Sequence, residues 1–551
     1  MCDAAAQFIG VDVGTGSVRA ALVSKQGRIQ ATAVRSTKTW NDRPDFYEQS
    51  TEDIWKAVIE CVKTVTRNAN PDAIKGIGFD ATCSLACFDK DGRPLSVSPS
   101  GSNEQNVILW LDHRAVEEAD EINRMNHQVL KYVGGKISPE METPKLAWLK
   151  RNLKKQCWDK AGLFFDLPDF LTWRATECDS RSSCSLVCKW TYEMSEDGTE
   201  AWNASYFKQL GLEDLAENGW KKIGSVVLAP GSPVGNGLSV RAAAELGLNP
   251  GTPVGTSMID AHAGGLGLIG CKAGCVDTKF HTRVGQYLLL VRCLKTRCHM
   301  AVSNGPTFVP GVWGPYKNAM IPGMWLNEGG QSATGKLLDH VIDTHPATEG
   351  IKKKLEGKHI IQYLNNVLED LAKQKQLKSV AFLTKDFHVY PDFHGNRSPI
   401  ADPTLKGMIC GLTLSDDEES LAILYLATVQ ALSYGTRHIL ETLQRSGYKD
   451  IKSTLICGGL SKNPIFTQSQ ADVCNLPVVC PEEEESVLLG AAILGACASG
   501  YFKDVKSAIE AMGGNGKVVV PNKDIVDFHN KKYKVFLKMY EHQMEYKKMM
   551  D

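Results

Sequence analysis

The chain has 551 residues, room for two large domains or three to four ordinary ones at ~150 residues each. Hydrophobic residues make up 43% and charged residues 23%, which excludes wholesale disorder and allows a substantial core. Lys+Arg 62 against Asp+Glu 63 leaves a formal charge of −1, so no broad electrostatic footprint points to nucleic acid or an acidic membrane.

Met1-Cys2-Asp3-Ala4-Ala5-Ala6-Gln7 puts an acid where a secretory peptide wants a base, and Asp12 breaks the apolar run behind it. No stretch reaches the ~18 apolar residues of a membrane span. The expected address is the cytosol. Seventeen cysteines include no Cys-x-x-Cys pair, so they read as reduced thiols acting as small hydrophobes. Cys184 and Cys188, or Cys293 and Cys298, are spaced to meet in space.

Phe8 to Val13 is an apolar run stopped by Gly14-Thr15-Gly16-Ser17 and resumed from Val18 to Val23, which predicts a hairpin. Residues 29–35 add a third strand. Ser50 is placed to cap a helix whose Ile54, Trp55, Val58, Ile59, Val62 and Val65 recur at helical spacing. Ile74 to Asp80 reads as a buried strand. The β-β-β-α-β order predicts a mixed sheet with helices on its faces.

The second half is a loose echo of the first. Strands are predicted at Tyr287–Val291, Cys298–Val302 and Ser453–Cys457, with a long helix over Leu421–Leu443 and another starting at Asn463-Pro464. Residues 351–378 read as a polar helical insertion, Glu482–Glu485 as a solvated acid run, and Tyr533–Tyr540 as an amphipathic helix. The expected domains are 1–270, 271–505 and a helical extension over 506–551.

In Asp12-Val13-Gly14-Thr15-Gly16-Ser17, the glycines leave room for phosphate to reach backbone N–H groups, and an acid at a strand end suits hydrated Mg²⁺. The plain alternative is a tight turn. Cys457-Gly458-Gly459-Leu460-Ser461-Lys462-Asn463-Pro464 is a second strand–glycine–helix junction, where a ring or ribose can lie against backbone. Met258-Ile259-Asp260-Ala261-His262 ends an apolar run on an acid, read either as a helix cap or as a general base. Gly330 to Leu337 nearly fits a phosphate-loop pattern but lacks the hydroxyl at Leu337 and a clear strand before it. Gly265-Leu266-Gly267-Leu268-Ile269-Gly270 fits a dinucleotide string, yet it continues a helix rather than opening one. It reads as close helix packing, which argues against a nicotinamide oxidoreductase.

Taken in order, these segments resemble the FGGY carbohydrate kinases, most closely the ribulokinase-like branch. The carriers are Val11–Ser17, Gly78–Ser84, Trp110–Arg114, Pro144–Leu149, Ile259–Gly264, Trp325–Ser332 and Cys457–Pro464, and they span the chain from Phe8 to about Gly500. The resemblance implies an α/β, two-domain, actin-like (ribonuclease H-like) fold with ATP and sugar meeting in an interdomain cleft. It implies ATP-dependent phosphorylation of a ketopentose, D-ribulose first among them. It makes Asp260 the catalytic base and Asp12 the acid near Mg²⁺. Gly14, Thr15, Gly16 and Ser17 become the first phosphate hairpin, with Thr296 on the second. Gly458, Gly459 and Asn463 fall on the adenosine side, and Asp80, Ala81, Trp110, Asp112, Lys189, Asp260 and Glu328 line the sugar pocket. The implied partners are ATP and a small sugar, with no nucleic acid and no membrane; a homodimer is compatible with it.

One segment departs from the family pattern. Before Cys298-His299-Met300 a small-residue turn is expected, and Cys293-Leu294-Lys295-Thr296-Arg297 stands there instead. Only Thr296 keeps a hydroxyl, and a cationic side chain does not replace a nest of backbone N–H groups. This motivates a second reading, a catalytically impaired sugar-binding or scaffold protein on the kinase fold. An altered ATP site and a local error in the deduced sequence also account for the departure.

Overall fold

In this computed structural model residues 6–274, 289–293, 297–357, 359–448 and 451–551 are described. Two mixed sheets carry the chain. In the first, β1 (Gln7–Val13) runs antiparallel to β2 (Ser17–Ser24), which pairs with β3 (Ile29–Ser36); on its other side lie the parallel strands β4 (Ile74–Ala81) and β5 (Val254–Ile259). β1 sits mid-sheet and is buried on both faces, while β3, at the edge, alternates half-buried and exposed residues. The Ser50 hydroxyl caps α1 (Thr51–Thr66) by accepting the Asp53 N–H at 3.3 Å, and Ile54, Trp55, Val58, Val62 and Val65 face the core.

The second sheet repeats the plan. β6 (Leu289–Cys293) is followed by antiparallel β7 (Arg297–Ser303). An edge strand, β8 (Trp313–Lys317), precedes β9 (Trp325–Gln331), which pairs with β7. β10 (Thr454–Cys457) lies parallel to β6 and β11 (Val478–Pro481) parallel to β10. The loose echo in the sequence is therefore a duplicated strand topology. Pairing geometry is kept while the side chains have diverged.

Two helices fill the space between the sheets. α2 (Ser183–Lys189) lies beside β5, and α3 (Asp260–Ile269) continues directly from that strand. α3 reaches β6 and β10 of the second sheet. α9 (Ser486–Ala498), from the second half, packs on β1, β4 and β5 of the first; among the described residues α4 (Gly335–Asp343), α5 (Thr348–Leu355), α6 (Ile360–Gln374), α7 (Glu418–Arg445) and α8 (Pro464–Cys474) lie between α3 and α9 in sequence. Glycine makes the contact possible. A Cβ on Gly10 would stand 2.1 Å from Leu488 O, and one on Gly490 1.9 Å from Ala263 O. Gly267 meets Ser486 O in the same way at 2.0 Å, so the Gly265–Gly270 string is helix packing, as its context predicts.

Three expectations change on inspection. A strand, β9, does feed Gly330–Leu337, although Leu337 is buried in α4 and offers no hydroxyl. The 351–378 insertion is amphipathic rather than polar: Leu364, Leu368 and Leu371 of α6 are buried, and α6 packs on α7. Residues 506–551 include a strand, β12 (Gly516–Val519), that pairs with β11, before α10 (Val526–Met550) docks Tyr533, Phe536 and Met539 against Tyr390 and Tyr434. Among the described residues no helix is long and apolar enough to cross a membrane.

Candidate active site

The parallel strands β1, β4 and β5 end in register. Asp12 is opposite Asp80, Asp80 opposite Met258, and Val13, Ala81 and Ile259 form the next row. The residues that follow are Gly14, Thr82 and Asp260. Ligands of open α/β sheets bind outside such carboxyl ends. Asp12 and Asp80 are sealed at 1% and 0% exposure, and Ala81 is buried too. Asp260 is half-buried. It is the first residue of α3, whose cap position is Ile259, so its carboxylate is not the capping group a plain helix start would employ.

At the first hairpin the Gly14 N–H donates to Ser17 O at 2.9 Å. Thr15 O accepts from Gln49 Nε2 at 2.8 Å, and Thr15 Oγ1 accepts from Trp110 Nε1 at 3.1 Å. Gly16 is exposed and has no positive φ, and a Cβ there would meet nothing within 4 Å. Among the described residues neither backbone conformation nor internal packing requires glycine at 16, which leaves room there for the close approach of another molecule. Asp12 Oδ2 accepts from Arg19 Nε at 3.0 Å, and Arg19 Nη1 reaches Glu485 Oε2 at 2.6 Å. Among the described residues Asp12 Oδ1 has no hydrogen-bond partner. A buried carboxylate oxygen with no described donor, at a strand end, fits a hydrated Mg²⁺ whose waters can donate to it.

The sugar-side residues divide. Lys189 ends α2 with Nζ 4.4 Å over the Trp313 ring. Burial works against its charge, but Cys83, Glu328 and Glu140 outweigh burial and raise its pKa. Glu328, on β9, is also buried; burial favours its neutral form, yet His262, Lys189 and Arg397 hold it down to about 2. Its Oε2 lies 3.0 Å from His262 Nε2. Asp112 is a different case. Its Oδ1 accepts from Arg114 N and Nε at 3.0 and 2.9 Å, and its Oδ2 from Tyr47 N and Arg114 Nη2 at 2.7 Å each. All four lone-pair positions are filled from within the chain, so the expectation that Asp112 binds sugar gives way to one that it fixes the loop carrying Trp110.

Sequence reasoning passed over Arg397, Glu140 and Trp313. Arg397 Nη2 holds both Glu140 oxygens, at 3.1 and 2.9 Å, and the guanidinium lies 5.3 Å from the Trp313 ring centre. No motif announces this pair, because 257 residues separate its members. His262, two residues beyond Asp260 on α3, is fully buried.

On the second sheet, Gly458 follows β10 with φ of 91°, a conformation that calls for glycine, and a Cβ on Gly459 would meet nothing within 4 Å. Asn463 caps α8: its Oδ1 accepts the Ile465 N–H at 3.2 Å, while its Nδ2 donates to Tyr425 Oη at 2.6 Å. Its side chain therefore shapes the turn from within. Thr296 lies outside the described residues. So do Leu294 and Lys295; the flanking strands close on the Cys293–Arg297 pair, where β1 and β2 close on Val13–Val18.

Residues 7–267 match the N-terminal domain of the FGGY family of carbohydrate kinases, and residues 296–499 the C-terminal domain. An FGGY carbohydrate kinase domain-containing protein of Xenopus laevis is 53% identical over 547 residues, 98% of each chain. A D-ribulokinase of Saccharomyces cerevisiae is 39% identical over 520 residues, covering 90% of this chain and 72% of its own. The crystal structure of xylulose kinase from Rhodospirillum rubrum superposes with a TM-score of 0.78 at 18% identity, covering 98% of this chain and 99% of the other, a likeness of fold. The two-domain sugar kinase architecture is as the resemblance implied, and with both family domains matched in order, the chain belongs to the FGGY family of carbohydrate kinases.

Proposed function

We propose that this carbohydrate kinase transfers the γ-phosphoryl group of ATP to the terminal hydroxyl of a ketopentose, D-ribulose before others, giving ADP and the 5-phosphate in the cytosol. The observation that carries the reading is the shared row of strand ends, Val13, Ala81 and Ile259, which sets Asp260 two strands from the Gly14–Ser17 hairpin. The name of the similar yeast protein, D-ribulokinase, supports the choice of sugar.

In this mechanism Asp260 takes the proton of the sugar hydroxyl as its oxygen attacks the γ-phosphorus in line. The new O–P bond forms as the bond to the ADP oxygen breaks. The Gly14–Ser17 backbone, with Thr15 and Ser17 hydroxyls beside it, lies against the phosphates. Asp12 would hold a hydrated Mg²⁺ through its waters, where the ion would supply neutralisation of the phosphate charge. Gly458 and Gly459 give the nucleoside a flat seat, shaped by Asn463. Lys189 and Glu328 pair with sugar hydroxyls beside Trp110, over a floor that includes Asp80 and Ala81. A site built to bind hydroxyls rejects analogues that lack them.

The test is a coupled ADP-release assay over a panel of ketopentoses and polyols. D-Ribulose is expected to give the highest kcat/KM. Absence of sugar-dependent ADP release with every compound would instead favour the impaired sugar-binding reading that residues 294–297 motivate.

A further inference from the structure

Behind Glu328 stands a run of buried polar groups that the mechanism does not use. His262 lies two residues beyond Asp260 on α3. Its Nε2 is 3.0 Å from Glu328 Oε2, and its Nδ1 is 3.2 Å from Cys184 Sγ. The same sulfur accepts the Ile259 backbone N–H at 3.5 Å, at the residue before Asp260. Cys188, one turn further along α2, completes the cluster; both sulfurs and a His262 ring nitrogen lie within 4.8 Å of one another. All three side chains are sealed, at 0% for Cys184, 1% for Cys188 and 0% for His262. The position of Cys184 is itself fixed: Ser182 Oγ accepts the Cys184 N–H at 3.2 Å and donates to Ser257 O on β5 at 2.6 Å.

The proton count in this cluster is constrained. A neutral imidazole donates from one nitrogen only. Glu328 is acceptor-only when ionised, so the Nε2 position must carry hydrogen. Nδ1 then either accepts from a Cys184 thiol or, with the proton moved, donates to a thiolate. The Cys184 sulfur is surrounded by donors: His262, the Cys188 thiol and the Ile259 N–H. Burial raises a thiol's pKa, as it does for Cys83 and Cys497, but at Cys184 these donors reverse the direction and lower it. Burial opposes charge on His262, and Cys184 and Glu328 on its two sides reverse that too. A buried ion pair persists where its remaining hydrogen-bonding positions are met, and here they are.

We propose that Cys184 and His262 form a thiolate–imidazolium positioning pair that locks Glu328 as an acceptor for a sugar hydroxyl and pins the strand-to-helix junction that presents Asp260. The sugar half of this statement rests on the kinase reading above; the ion pair does not. With a neutral residue at 184, His262 loses its second proton. Glu328 then keeps only a neutral donor and is drawn towards Lys189.

The experiment compares the intact protein with Cys184→Ser, Cys184→Asp and His262→Asn. The thiolate's ultraviolet absorption is expected in the parent at neutral pH and lost in Cys184→Ser. Cys184→Ser should raise the KM for sugar roughly tenfold with the KM for ATP unchanged, the size expected when a charge-assisted hydrogen bond becomes a neutral one. Cys184→Asp, which restores an anion beside His262, should recover most of that loss, which a purely structural role for the sulfur would not allow. His262→Asn should match Cys184→Ser in its sugar KM. Equal thiolate absorption in parent and Cys184→Ser overturns the proposal, as does an unchanged sugar KM. Stoichiometric zinc on the purified parent that Cys184→Ser loses also overturns it, since the sulfur would then serve a metal. If the parent shows no sugar-dependent ADP release, the kinase reading fails separately, and calorimetric sugar affinity replaces KM with the same expected ratio.

Discussion

The indole N–H of Trp110 donates to the Thr15 hydroxyl at 3.1 Å. One bond thus joins the loop proposed to line the sugar pocket to the hairpin proposed to hold the phosphates. Trp110 stays where it is because Asp112, two residues on, is held by Arg114 and the Tyr47 N–H. Single Thr15→Ala and Trp110→Phe variants should each weaken both substrates. A double-mutant cycle on kcat/KM should give a coupling of about 1 kcal/mol. Additive effects would show that the two residues act independently.

Gly16 and Gly490 serve opposite purposes, and alanine distinguishes them. Gly490→Ala puts a Cβ 1.9 Å from Ala263 O, between the helices that join the two sheets. Overpacking of that kind costs ~1–3 kcal/mol or more, so its thermal midpoint should fall clearly. Gly16→Ala meets nothing within 4 Å and should leave the midpoint unchanged while raising the KM for ATP. A stable Gly490→Ala, or a Gly16→Ala with unaltered ATP kinetics, would contradict these assignments.

Acid should loosen the layer around α10. Burial lowers the pKa of His529 from 6.5 to about 3 and those of His388 and His438 from 6.5 to about 4. The folded state resists protons that the unfolded chain accepts. The stability these neutral histidines contribute is therefore full above about pH 6.5 and is lost as pH falls towards 4 and then 3. His529→Asn, which can keep a partner for Tyr434 Oη now 2.8 Å from His529 Nδ1, should flatten the fall in thermal midpoint between pH 6.5 and 4. An unchanged slope would remove His529 from the acid response.

Much of the fold was legible because its signals are local. The Phe8–Val13 run, the Ser50 cap and the helical stripe behind it each predict their element from a few residues. The Asp12, Asp260 and Gly458 segments were legible for the same reason, each marked by an acid or glycine at a strand end. The Arg397–Glu140 pair was not, since only tertiary structure brings its members together. The fate of Asp112 was hidden similarly: its Arg114 neighbour is near in sequence, but the Tyr47 N–H that completes its bonding comes from 65 residues away. The interleaving of α3 and α9 depends on glycines whose role appears only when two backbones meet.

The central claim is that Asp260 accepts the sugar proton. The direct measurement is D-ribulose-dependent ADP release by the parent and by Asp260→Asn, with sugar affinity followed by calorimetry. The account predicts turnover lower by on the order of a hundredfold or more in the variant, with sugar binding nearly intact. Turnover close to that of the parent would contradict it.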